Sequence, residues 1–372
     1  MDLSASNELV PFAEAIRVEK IGANVYRVNL VDSWCIGTGE LEELSISQTN
    51  ADTRSAVPNG GYVASCILQA AILHLAPRGQ QDVLNAHFEY LNRTETGLAI
   101  IVIEDVKLGR QLSTIHATLY QRSLLSKEPW ITPGSTRKEI AAYLVMTDLS
   151  KEEGVSLPTG FSLKHPIPPP RRPDLVALRE DRDPHWAQFR FPKSAPLGYA
   201  RCLKNCVFYD PRGGQPSKYV IDKWVRLASG ERFTNATLGY VADCWPYVVE
   251  AQRPRPKLAE EMQRRGELVP FAPDARFWYP TVVLNVETKK ALPADGVEWL
   301  QIRVQSRQIR NGRLDLEVLI LDERGELIAL SHHVNLILDS QRNLAERGSG
   351  SSGESKMANT KASSMRKAQS HM

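Results

Sequence analysis

A five-residue string occurs twice in this chain. Gly61-Tyr62-Val63-Ala64-Ser65 returns as Gly239-Tyr240-Val241-Ala242-Asp243, with only the last position changed. Each copy lies in an apolar, helix-like segment. Strand-like runs precede each segment, and a set of strands follows it. A match placed at equivalent points of two similar layouts reads as a duplication, so the chain is constrained to fold as two copies of one unit.

The first helix is read over residues 59–76, with Asn59 at its start and Pro77 and Gly79 beyond its end. It is apolar nearly all round, which predicts burial on more than one side. Residues 16–31 read as two strands around Gly22-Ala23-Asn24, residues 84–121 as two or three, and residues 138–149 as one. Residues 150–200 are proline-rich, with Pro166, Pro168, Pro169, Pro170 and Pro173 close together, and read as a semi-rigid connector. In the second half, 218–227 is a strand and 233–251 a helix. Residues 252–276 are a charged insertion. Residues 281–290, 298–309, 313–322 and 327–338 are strands, the last two a hairpin around Glu323-Arg324-Gly325-Glu326. The expected organisation is a first unit over 16–150, a connector over 151–200 and a second unit over 201–340. A loose leader over 1–15 and a Ser/Gly/Lys-rich disordered tail over 341–372 complete it.

Composition excludes several classes. The 372 residues carry 46 Lys and Arg against 43 Asp and Glu, a formal charge of +3. That is too balanced for a nucleic-acid binder identified by charge. No apolar run reaches the roughly 18 residues of a membrane span, and the first residues lack the features of a signal peptide. The five cysteines are odd in number, which fits a reduced, cytoplasmic setting. Cys202 and Cys206 have no second pair to complete a zinc site, so neither metal nor cofactor is expected. There is no Gly-x-Ser-x-Gly elbow, no P-loop and no Gly-x-Gly-x-x-Gly after a strand.

One long buried helix wrapped by an antiparallel sheet is the plan of a hotdog domain. Pro58-Asn59-Gly60-Gly61-Tyr62 at the first helix and His87-Phe88-Glu89-Tyr90-Leu91 in the next strand resemble the acyl-CoA thioesterase superfamily. Val282-Val283-Leu284-Asn285-Val286, Glu298-Trp299-Leu300 and Ala329-Leu330-Ser331-His332-His333 narrow the resemblance to the fungal thioesterase-like double-hotdog proteins. It covers about residues 16–340. It implies an α+β double hotdog, two antiparallel sheets each around a buried helix, acting on an acyl thioester of CoA or of an acyl-carrier protein.

Thioester hydrolysis needs an oriented, deprotonated water and a stabilised oxyanion. The first helix start offers backbone N–H groups and a positive dipole end. Gly60 and Gly61 leave room for a carbonyl to approach. The resemblance implies that an amide here polarises the thioester; the plainer reading is a helix capped by Asn59. On the second helix, Tyr240, Asp243 and Tyr247 share a face opposite Leu238, Val241, Trp245, Val248 and Val249. The matching face of the first helix holds Tyr62, Ser65 and Gln69. A carboxylate buried there is costly unless it is hydrogen-bonded or functional. Pro246 cannot bond to the Ala242 carbonyl and should distort the helix beside Asp243.

The resemblance further implies that an Asp of the second helix holds the attacking water with a Thr or Ser and a Gln. Asp243 matches the Asp. An ungapped comparison puts Val283 at the Thr/Ser position, and Thr281 or Asn285 would need a shifted register, which reverses the face. The Gln position falls at His332 or His333, with the ungapped comparison favouring His333. A His beside an Asp could serve as general base. Candidate substrate contacts are Asn59, Gly60, Gly61, Tyr62, Ser65, Tyr240, Thr281 and Asn285. Ser65 stands where the second half has Asp243, so one active site is expected. Two further functions stay open: a dehydratase, isomerase or cyclase of a polyketide-like substrate, and a non-catalytic acyl binder. A homo-oligomer is also open.

Overall fold

The computed structural model describes residues 9–36, 56–163, 168, 171–190 and 201–339. The expected tail, residues 1–8 of the expected leader and residues 37–55 of the loop before Pro58 lie outside the described residues. Within them, one antiparallel sheet of 14 strands runs through the molecule.

The sheet repeats itself about its middle. From the centre outward, the first half runs Asp82–Tyr90, Arg137–Thr147, Ser113–Gln121, Gly97–Leu108, Val25–Leu30 and Val18–Lys20. The second half runs Thr281–Thr288, Leu327–Leu336, Arg313–Leu321, Leu300–Gln305, Val220–Leu227 and Cys206–Pro211. Trp186–Gln188 is added at its edge. In both, the strand after the core helix is central, its successors stack in reverse chain order, and the strands before the helix close the edge. This is the expected double hotdog, with its two sheets joined through Asp82–Tyr90 and Thr281–Thr288. The register irregularities repeat as well. The ladder shifts after the Val83–Met146 pair in one half and after Thr281–Asn335 in the other.

The first core helix spans Gly60–Leu75, with eleven of its 16 residues buried. Asn59 caps it by accepting from the Tyr62 N–H at 2.9 Å. Extended to Arg78, the segment reaches the length and composition of a membrane span. Its apolar surface is instead taken up by the sheet and the second core helix.

The second core helix is shorter than the pattern suggested. It spans Leu238–Asp243, with tight turns at Asn235–Thr237 before it and Tyr247–Gln252 after it. Pro246 is the reason: without an N–H, and with its ring crowding the carbonyl four residues back, it stops the helix within a turn of Asp243.

Part of the stretch read as connector is built into the fold. Leu175–Arg179 is helical and Trp186–Gln188 forms the outermost strand. Leu178 and Trp186 cover Tyr209, Trp224 and Trp299, a small apolar cluster apart from the main core. Beside it, Arg303 donates to both Asp222 oxygens at 2.7 Å and to the Leu163 carbonyl at 3.0 Å.

Candidate active site

The repeated string brings the two core helices together at their glycines. A Cβ on Gly61 would lie 2.5 Å from the Gly239 carbonyl oxygen and 2.6 Å from the Asp243 Cβ. Only glycine permits this approach. At the crossing, the Gly61 N–H donates to Asp243 Oδ2 at 2.7 Å. The buried carboxylate thus sits on the positive end of the first helix, where an anion is favoured. The counterpart in the other direction is weaker: Ser65 Oγ accepts from the Tyr240 N–H at 3.0 Å.

The other Asp243 oxygen faces the sheet. Thr281 donates its hydroxyl to Oδ1 at 2.9 Å, and Asn335 Nδ2 donates to Thr281 Oγ1 at 2.9 Å. Simple alternation would turn Thr281 away, because Leu284 and Val286 point into the core. The irregularity between Thr281 and Val283 supplies the one-residue slip that turns it inward. His333, fully buried, brings Nδ1 to 3.5 Å from Asp243 Oδ1, and its Nε2 meets Ser331 Oγ at 2.8 Å. Two buried polar atoms here lack hydrogen-bond partners, His333 Nδ1 and Asn335 Oδ1.

A cavity of about 230 Å³ opens onto this cluster. Asn59, Gly60, Tyr90, Arg93, Asp243, Trp278 and Thr281 are on its wall. Tyr90 donates its hydroxyl to the Gly60 carbonyl at 2.8 Å. Burial and the Asp243 charge push its pKa well above the ordinary tyrosine value, so it stays a neutral donor.

The remaining predicted residues lie elsewhere. His332 is exposed on the outer face and pairs with Glu317 at 3.2 Å. Asn285 shares that face and contacts His87 Nδ1 at 2.7 Å. Neither reaches Asp243. The two repeat tyrosines point away from the cavity. Tyr62 donates to the Ala15 carbonyl at 2.9 Å and Tyr240 to the Cys202 carbonyl at 2.8 Å, each anchoring a short helix at the front of its own half. Val283 is displaced from the inward position by the register shift.

Asn335, Ser331 and Tyr90 are the members that sequence reasoning missed. Alternation already placed Asn335 and Ser331 on the His333 face, which was the available signal. The equivalent positions of the first half follow from the repeated registers. Ser65, Val83, Leu144, Met146 and Ala142 stand for Asp243, Thr281, His333, Asn335 and Ser331. The first-half cluster is apolar apart from one hydroxyl.

Comparison with known proteins places this architecture. Residues 49–136 match the family of acyl-CoA thioesterase N-terminal domains, and residues 169–337 that of acyl-CoA thioesterase C-terminal domains. A hotdog-fold protein from Alicyclobacillus acidocaldarius superposes with a TM-score of 0.58 at 16% identity, over 88% of this chain and 97% of its own. The acyl-CoA thioesterase II TesB2 of Mycobacterium marinum gives 0.51 at 15% identity, over 88% and 98%. In sequence, the chain is 44% identical over 355 residues to the thioesterase-like protein TwmA of Talaromyces wortmannii, covering 92% of this chain and 95% of that one. The chain therefore belongs to the fungal thioesterase-like family, hydrolases of the thioesterase class built on a double hotdog.

Proposed function

We propose that the chain hydrolyses an acyl thioester, carried on CoA or on an acyl-carrier protein, with a water held between Asp243, Thr281, His333 and Asn335. The observation that carries this reading is the pair of orphaned polar atoms, His333 Nδ1 and Asn335 Oδ1, beside the Asp243–Thr281 bond. Buried polar atoms without partners are expensive, and a water satisfies several at once. Asn335 then takes the place in which the resemblance implies a Gln.

In this mechanism Asp243, aided by His333 Nδ1, accepts a proton from the water. The hydroxide adds to the thioester carbonyl, the C–S bond breaks, and the thiolate leaves and is protonated. The products are an acid and a free thiol. The developing oxyanion meets the start of the first helix. Gly61 already gives its N–H to Asp243, so the oxyanion role shifts to the neighbouring Gly60 on the cavity wall. Five buried, unpaired cysteines support an intracellular, reducing setting.

The test is thiol release from short, medium and long acyl-CoAs and from carrier-bound acyl groups. Asp243→Asn should lower kcat by about 10²-fold or more, the usual worth of a positioned base. No release from any donor by the folded protein would overturn hydrolysis, leaving proton abstraction from the acyl chain or simple acyl binding.

A further inference from the structure

The Gly60–Gly61 amide is held at both of its polar ends. Its carbonyl oxygen accepts from the Tyr90 hydroxyl at 2.8 Å, and its N–H donates to Asp243 Oδ2 at 2.7 Å. A side chain at the end of the first half's central strand is thereby joined, through one peptide, to the carboxylate of the second half. The reaction proposed above uses Asp243 and gives Tyr90 no part. Two consecutive glycines are also the most pliable start a helix can have, so the plane of this peptide needs holding from outside. The missing side chain lets that happen. A Cβ on Gly60 would lie 3.0 Å from Asp243 Oδ2 and 3.2 and 3.3 Å from Tyr90 Cε1 and Cζ, so ring and carboxylate close on the same stretch of backbone.

An amide whose carbonyl accepts a hydrogen bond is a stronger donor at its N–H, because linked hydrogen bonds polarise one another. Here the N–H gives its bond to a buried carboxylate, where a charge-assisted contact is worth most. With Oδ2 held in this way, Oδ1 is turned to Thr281 and His333. The duplication supplies a comparison within the same molecule. By the repeated registers, the second half has Leu238 and Thr288 where the first has Gly60 and Tyr90. That helix start carries a side chain, its strand offers no ring, and the residue it meets is Ser65 rather than an acid. The tyrosine stands only at the helix start that holds the carboxylate.

Resting on the hydrolase reading above, we infer that Tyr90 is a positioning residue for the reaction: through the Gly60–Gly61 amide it holds Asp243 Oδ2 and so aims Oδ1 at the water. It touches neither the water nor the thioester in this role. Removing its hydroxyl therefore weakens the aim of the base and leaves substrate binding as it was.

Nuclear magnetic resonance tests the relay without requiring turnover. Glycine labelled with 13C at its carbonyl and with 15N gives coupled carbon–nitrogen pairs only where two glycines adjoin, and those places are Gly60–Gly61 and Gly213–Gly214. In Tyr90→Phe the Gly60 carbonyl carbon and the Gly61 amide proton should both move upfield. The exposed Gly213–Gly214 pair should stay in place, which also shows that the variant is folded. In turnover, Tyr90→Phe should lower kcat about fivefold, the worth of one ordinary hydrogen bond, with KM unchanged. Added to Asp243→Asn, the same change should lower kcat no further, because Tyr90 acts through that carboxylate. An unmoved carbonyl carbon, a carbonyl that moves without the amide proton, an unchanged kcat, or an equal loss in the Asp243→Asn background overturns the inference. If both signals move but the wild type releases no thiol from any donor, the hydrolase reading falls and the hold of Tyr90 on Asp243 stands.

Discussion

Ser331 has one hydrogen to give, and it goes to the Asn285 carbonyl at 2.6 Å. Its oxygen therefore accepts from His333 Nε2–H, and in the neutral ring Nδ1 is left as the lone-pair atom towards Asp243. This fixed tautomer distinguishes His333 from its neighbour, whose imidazole reaches Glu317 on the outer face. We therefore expect His333→Gln to lower kcat by about 10²-fold with little change in KM. His332→Gln should stay within about twofold of the parent, as surface changes usually do. Thiol-release kinetics on both variants, with folding checked by circular dichroism, decide this; equal losses would remove the argument. Alternation along the strand separates the two histidines but does not say which face holds the site. Deciding that takes a partner from another element, here Asp243.

At the scale of elements, the helix crossing is the most sharply constrained feature. An added methyl at Gly61 meets backbone and a Cβ, neither of which can swing aside. Gly61→Ala should cost about 1–3 kcal/mol, the usual cost of overpacking, and should also lower kcat by forcing Asp243 from the helix start. Thermal unfolding measures the first effect and thiol release the second; a variant as stable and active as the parent would mean that the helices do not meet this closely. Much of this level was legible in the sequence. The apolar 59–76 segment and the strand sets follow from periodicity, and what proline cannot do marked a distortion at Pro246, although the pattern carried that helix on to residue 251 and the structure ends it at Asp243. The inward turn of Thr281 did not follow. A bulge depends on pairing across strands distant in sequence, and nothing in Thr281-Val282-Val283 marks it locally.

At the scale of the whole molecule, a duplicated fold carries its polar cluster once. The sheet order, the bulge and the tyrosine anchors repeat, whereas Asp243, Thr281, His333 and Asn335 face Ser65, Val83, Leu144 and Met146 at the equivalent places. The second half thus spends stability on buried polar groups, and the first half fills the same space with core. This asymmetry predicts the outcome of restoring the missing carboxylate. Ser65→Asp would place a charge beside the Tyr240 N–H with no Thr, His or Asn around it. An uncompensated buried charge costs about 3 kcal/mol or more. We expect a lower unfolding midpoint and no added thiol release from Ser65→Asp. We also expect no recovery when it is combined with Asp243→Asn. Recovery in that double variant would show that a carboxylate on a helix start suffices. The polar residues gathered around Asp243 would then be stabilising their own half rather than holding a water.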